Sequence, residues 1–359
     1  AGPVARMVLS AESFVPHAIA VLQSKGLWQG MAPASVKISL LPVGRPWVAV
    51  LSPSIASGHN SVVLKFGTKF SAAAPLAGHE VLSEVGVAIP LVGHGITEDG
   101  IPFTLEALAA GLRPSDDEWG DSSLWEDNAK LTAKLHQVGT AWFDVHRAEI
   151  LEKIPLLKDE PLNAALWVMV RPDMLAKHGS EHFLPQADKL RQLLAALPRP
   201  SGSHAERLVT VHGDLHHQNI LRMPTGESVL ADLEGVCVSS AVQDLVHVSD
   251  SNLIAFYLES MIGQTPSAHE VDALWLEALI AEHVHFHVLR HIFWDMAGWW
   301  TPEEVAAHMD GYIEHAARFA SFAEKLRGDA VLAKKVMGPG PEADKDWRGD
   351  CEAMMAGVL

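Results

Sequence analysis

The prevailing hydrophobic period of this chain shifts from strand-like to helical near residue 107, and that shift points to folds in which sheet and helix are largely segregated. Before that point the apolar residues come in short β-type runs at 36–41, 47–51, 62–66, 89–93 and 103–105. The turn-rich segment 42–46, Pro-Val-Gly-Arg-Pro, predicts a hairpin between the first two. Two stretches of helical spacing interrupt the runs, at 10–25 and at 75–85, the second stopped by Gly86. After that point the pattern is helical at 121–146, at 188–197 and through most of 243–327. Breaks fall near Gly263-Gln264-Thr265-Pro266 and Thr301-Pro302. Only one β–loop–β passage, 208–219 and 229–232, interrupts this second part. The expected class is α+β. A small antiparallel-sheet lobe with one helix spans residues 1–107, and a larger, mostly helical lobe spans 108–359. The Gly/Pro/Asp-rich stretch from Met337 onward reads as loose.

Composition narrows the partners. Hydrophobic residues make up 48% of the chain, enough for a sizeable core. The formal charge of −17 opposes binding to nucleic-acid phosphates or anionic membranes and favours cationic ligands. Cys237 and Cys351 are too few and too far apart to form a disulfide framework, so a reducing, cytoplasmic setting is expected. No apolar run approaches the roughly 18 residues of a membrane span. No charged segment followed by an apolar run opens the sequence as given, so no leader is expected within it.

The chemistry concentrates in His212-Gly213-Asp214-Leu215-His216-His217-Gln218-Asn219, of the form H-x-D-x-x-x-x-N. Phosphoryl transfer needs a base near the attacking hydroxyl, metal ions across the phosphates and positive charge on the nucleotide. Asp214 suits the first task, and His212 reads as a brace for the loop. Five residues on, Asn219 offers an amide oxygen to a magnesium ion. Then Val229-Leu230-Ala231-Asp232-Leu233-Glu234 ends a short apolar strand in an acid, thirteen residues beyond Asn219. Magnesium prefers oxygen ligands, and a carboxylate, an amide oxygen and ATP phosphates would supply them. Lys65, in Val63-Leu64-Lys65-Phe66, should not enter a core unpaired. It is expected to neutralise ATP phosphates while Glu80, on the next helix, fixes it. The order strand-Lys, helix-Glu, loop, strand-Asp is more specific than any one member.

These residues carry a resemblance. The run Val211-His212-Gly213-Asp214-Leu215-His216-His217-Gln218-Asn219-Ile220-Leu221, followed by Leu230-Ala231-Asp232-Leu233-Glu234 and Gln243-Asp244-Leu245, resembles the aminoglycoside phosphotransferase and choline kinase superfamily. Leu131-Thr132-Ala133-Lys134-Leu135-His136 is similar to the helix ending in Leu-His that precedes that family's catalytic loop. The resemblance runs from about residue 36 to about residue 300. It implies a bilobal protein-kinase-like fold and an ATP- and Mg2+-dependent kinase acting on a small molecule. It further implies Asp214 as catalytic base, Asn219 and Asp232 as magnesium ligands, and Lys65 on phosphate, paired with Glu80. Asp244 would steady the catalytic loop. Thr104-Leu105-Glu106-Ala107-Leu108 would be the hinge, with Glu106 and Leu108 meeting adenine through backbone groups.

Protein kinases carry Arg where this chain has Gly213, and here no A-P-E follows Asp232 and no G-x-G-x-x-G precedes Lys65. The segment from His283 to Trp300 loosely resembles the His/Trp helix of choline and ethanolamine kinases, and aromatic faces attract quaternary ammonium groups. The candidate substrate residues are His291, Trp294, Asp295 and Trp299 in this segment and, separately, Glu234 after the strand acid, which reads equally as a turn residue. The Asn and Gly that follow the second metal Asp in choline kinases are not evident between Glu234 and Asp244, so choline, an aminoglycoside and an amino sugar all stay open as acceptors. His283, His287, His291 and Asp295 recur every four residues, as packing residues or, more rarely, as a transition-metal stripe. A catalytically idle nucleotide-binding protein and a protein kinase remain as alternatives.

Overall fold

The computed structural model describes residues 11–40, 48–54, 59–66, 73–108, 122–153, 187–213, 215–216, 219–233, 236–246, 251–284 and 302–337. The hairpin turn expected at 42–46 and the tail beyond Met337 lie outside them. Helix α1 (Ala11–Ser24) buries Phe14, Val15, Ala18, Ile19 and Leu22, which recur at helical spacing. The strands β1 (Val36–Leu40), β2 (Val48–Pro53) and β3 (Val62–Phe66) follow. Helix α2 (Ala73–Glu84) separates them from β4 (Leu91–Ile96) and β5 (Pro102–Ala107). The five strands form one antiparallel sheet in the order β1-β2-β3-β5-β4.

Strand alternation gives this sheet its two faces. Val62, Leu64 and Phe66 on β3, with Phe103 and Leu105 on β5, turn into the core beneath α1. Phe14 stacks on Phe66 at a centroid distance of 4.5 Å. Residues 63, 65, 104 and 106 must therefore project from the opposite face.

Beyond residue 121 come the long helix α3 (Ser122–Lys153) and α4 (Ala187–Ala196). Four short strands follow: β6 (Leu208–Val211), β7 (Ile220–Arg222), β8 (Ser228–Leu230) and β9 (Cys237–Ser240). Strand β6 pairs with β9, and β7 pairs with β8 as a hairpin. A 3-10 turn, Ala241–Leu245, leads to α5 (Ser251–Ile262), α6 (Ala268–His283), α7 (Pro302–Gly328) and α8 (Ala330–Met337). Local chemistry sets several of these boundaries. Ser267 and Glu270 form a capping box at the start of α6. A Cβ on Gly139 would lie 2.6 Å from Thr210 Cβ, so glycine lets α3 pack directly on β6. Buried Glu277 of α6 takes a bidentate pair from Arg327 of α7, at 2.6 and 2.7 Å.

The chain divides into two units, Ala1–Pro114 with Gln218–Glu234, and Ser115–His217 with Gly235–Leu359. The β7–β8 hairpin belongs to the sheet unit because backbone bonds tie it there. Ile89 N–H donates to Leu230 O at 2.9 Å, and Leu230 N–H donates to Val87 O at 2.8 Å. A linear division near residue 107 does not include this second crossing of the chain.

Candidate active site

In the sheet unit, Lys65 is the centre of a charge cluster. Its Nζ lies 3.0 Å from Glu106 Oε1 and 3.2 Å from Asp232 Oδ1. Register explains the first contact. Val63 faces Glu106 across β3 and β5, which makes Lys65 and Glu106 diagonal neighbours on the face away from α1. Glu80, expected as the partner of Lys65, instead has His94 Nε2 at 3.5 Å, with 54% of its side chain exposed. The lysine's partner comes from the adjacent strand rather than from the helix, because the sheet register already brings a carboxylate within reach. Beside this cluster His79 is buried, and its ring nitrogen meets Ile89 O at 2.8 Å. Burial pushes the His79 imidazole below its ordinary pKa, and Glu106 opposes that shift.

The second contact follows from the hairpin. Ile220 pairs with Leu230, and the ladder continues with Ala231 N–H donating to Asn219 O at 2.8 Å. Asn219 therefore sits opposite Ala231 and next to Asp232. The hairpin register thus gathers the amide and the acid at one end. Asp232 has φ 61°, a left-handed conformation that costs a non-glycine residue about 1–3 kcal/mol. Asn219 is buried. A carboxylate and an amide, both hard oxygen donors, fit magnesium better than a soft transition metal. Among the described residues no cluster of three or more His, Cys, Asp or Glu forms a metal cage.

The segment Thr104–Leu108 is tied into the sheet unit. The Glu106 side chain holds Lys65. Ala107 N–H donates to Pro90 O at 2.9 Å, and Leu108 N–H donates to Ser61 O at 3.3 Å. Both of these amides have partners within the sheet unit, so only the carbonyls of this stretch could meet a further group.

The helical unit holds the stem of the loop. Asp244 is fully buried, and its carboxylate accepts from His212 N–H at 2.6 Å and from Gly213 N–H at 3.0 Å. Gly213, at φ 83°, adopts a turn that a side chain would strain. His136 Nε2 lies 3.1 Å from Asp244 Oδ2, and its Nδ1 lies 2.8 Å from the Tyr257 hydroxyl. Burial, reinforced by Asp244, pushes the Tyr257 phenol well above its ordinary pKa, so it stays protonated. Sequence reasoning named His212 and Asp244 and noticed His136, but missed Tyr257, which stands in an apolar helical run with no polar pattern around it.

Asp214, Glu234, His291, Trp294, Asp295 and Trp299 lie outside the described residues. Of the histidine stripe only His283 is described, and it is buried and stacked on Phe319 at 3.8 Å. Among the described residues no helix is long and apolar enough to cross a membrane.

A sheet unit with an anchored lysine, followed by a helical unit with a braced loop, is the layout of kinase-like phosphotransferases, and solved structures share the fold. An ethanolamine kinase from Plasmodium vivax superposes with a TM-score of 0.55 at 12% identity, over 88% of this chain and 88% of its own. A choline kinase from Cryptosporidium parvum Iowa II does so with 0.51 at 13% identity, over 89% of this chain and 98% of its own. No curated protein matches the sequence. The model of the phosphotransferase enzyme family, APH, matches residues 80–275, more than half of the chain. The chain belongs to that family, and it is a small-molecule phosphotransferase.

Proposed function

We propose that this protein moves the γ-phosphoryl group of ATP to a hydroxyl of a small, cationic molecule, an amino-alcohol, an aminoglycoside or an amino sugar. The acceptor oxygen bonds to Pγ, the bond from Pγ to the β–γ bridging oxygen breaks, the hydroxyl proton passes to Asp214, and ADP leaves. Lys65 meets the phosphates, held by Glu106. Asn219 and Asp232 would hold a magnesium ion, which supplies neutralisation of phosphate charge. Asp244 keeps His212 and Gly213 in place immediately before Asp214.

The observation that carries this reading is the position of Lys65 Nζ, 3.2 Å from the acid that the hairpin register sets beside Asn219. The ion pair with Asp232 is the contact that a metal would compete for. The cationic acceptor is supported by the net charge of −17 and by the aromatic residues of the segment between His283 and Trp300.

The test is ADP release from MgATP with a panel of acceptors, followed by mass detection of the phosphorylated product. Choline and ethanolamine head the panel, because the two structural neighbours are kinases of those names. One panel member should be phosphorylated. Asp214→Ala should lower turnover by about 10²- to 10⁴-fold with an unchanged melting temperature. Phosphate found on polypeptide, or nucleotide binding with no transfer to any acceptor, would overturn the reading.

A further inference from the structure

We propose that the Tyr257 hydroxyl is a positioning group for phosphoryl transfer, acting through His136 and Asp244 on the backbone of His212 and Gly213. The proposal rests on reading 212–219 as the catalytic loop. Its parts come from four places in the chain: Tyr257 from α5, His136 from α3, Asp244 from the 3-10 turn, and the loop stem just after β6.

The carboxylate fixes the direction of the bond it receives. A carboxylate only accepts, so His136 Nε2 carries the proton toward Asp244. The other ring nitrogen, Nδ1, shares a hydrogen bond of 2.8 Å with the Tyr257 hydroxyl. Asp244 Oδ2 receives both this imidazole and the His212 amide, while Oδ1 receives the Gly213 amide. Each carboxylate oxygen therefore has a named donor, and the tilt of the imidazole sets the tilt of the carboxylate. The Tyr257 ring meets His136 edge-on, at a centroid distance of 5.5 Å. That contact limits where the imidazole lies, and the hydroxyl holds the ring nitrogen that Asp244 does not.

The effect should fall on turnover more than on nucleotide affinity. Gly213 is the residue before Asp214, so a shift of the Asp244 carboxylate moves the proposed base. A displacement near 1 Å can cost about 100-fold in rate. Lys65, Asn219 and Asp232 belong to the other unit and keep their own contacts.

Tyr257→Phe removes only the hydroxyl. Amide exchange in the 208–213 peptide should accelerate by about tenfold, the equivalent of about one hydrogen bond. MgATP hydrolysis, with water as the acceptor, should lose about tenfold in kcat with KM for ATP within about twofold. On an Asp244→Asn background the same substitution should add less than about twofold, since the two act in one chain. Unchanged exchange at 208–213, unchanged kcat, or full additivity with Asp244→Asn would overturn the proposal. Faster exchange in a protein that releases no ADP from MgATP, with water or with any acceptor of the panel, would overturn the catalytic role together with the reading of the loop, and would leave only a structural brace. Should Tyr257→Phe lose its thermal transition, His136→Gln breaks the same chain at its middle, and the same measurements decide.

Discussion

Asp232 and Asp244 are both acids within hydrogen-bonding distance of a basic side chain, yet the two regions hold them in opposite ways. Asp232 stands in a left-handed backbone conformation, is partly open to solvent, and contacts a lysine shared with Glu106. Asp244 is fully buried and is bound mainly by backbone amides and a buried imidazole. The first arrangement suits an acid that exchanges one partner for another, because the ion pair is solvent-accessible and the strained backbone is already committed. The second suits an acid that never moves, because each lost bond would orphan a buried group. The shared, partly open acid and the buried, braced acid thus belong to different units of the same chain.

Substitutions should separate the two kinds of acid. The largest effect is expected for Asp244→Ala, which strips the acceptor from two amides and a buried imidazole. It should cost about 3–5 kcal/mol in denaturant unfolding and abolish turnover. A loss below about 1 kcal/mol would mean that Asp244 is no brace. Lys65→Met leaves Glu106 and Asp232 without their shared cation and should cost about 2 kcal/mol, with a marked rise in KM for ATP. Glu106→Gln keeps the shape but removes the charge. A destabilisation of about 1 kcal/mol and a smaller rise in KM are expected, read by the same two assays. Glu80→Ala, at an exposed pair with His94, should change stability by less than about 0.5 kcal/mol and leave KM for ATP unaltered. If Glu80→Ala raises KM more than Glu106→Gln does, the lysine's working partner is the helix acid after all.

Much of this contrast was legible in the residues, and the remainder shows where local reasoning stops. The strand runs and helices follow from hydrophobic period, and the place of Asn219 opposite Ala231, one residue before Asp232, follows from the hairpin register. The Glu106 partnership could also have been read. Leu105 is a core residue, so Glu106 must share the face that carries Lys65. The likeness to a known hinge drew attention to backbone groups at this segment instead. Strand β9 went unread because its partner β6 lies some thirty residues earlier and nothing local marks the pairing. The contact of Tyr257 with His136 had no signal at all. Those residues are 121 apart in the chain, and only the packing of α5 on α3 brings them together.

The most direct test is calorimetric titration with a non-hydrolysable ATP analogue, with and without magnesium, on the wild type and on Asp232→Asn. If Asn219 and Asp232 hold the metal beside Lys65, magnesium tightens binding to the wild type by at least about tenfold and leaves Asp232→Asn nearly unaffected. Equal affinity with and without magnesium in the wild type, or a full magnesium effect in Asp232→Asn, would contradict the account.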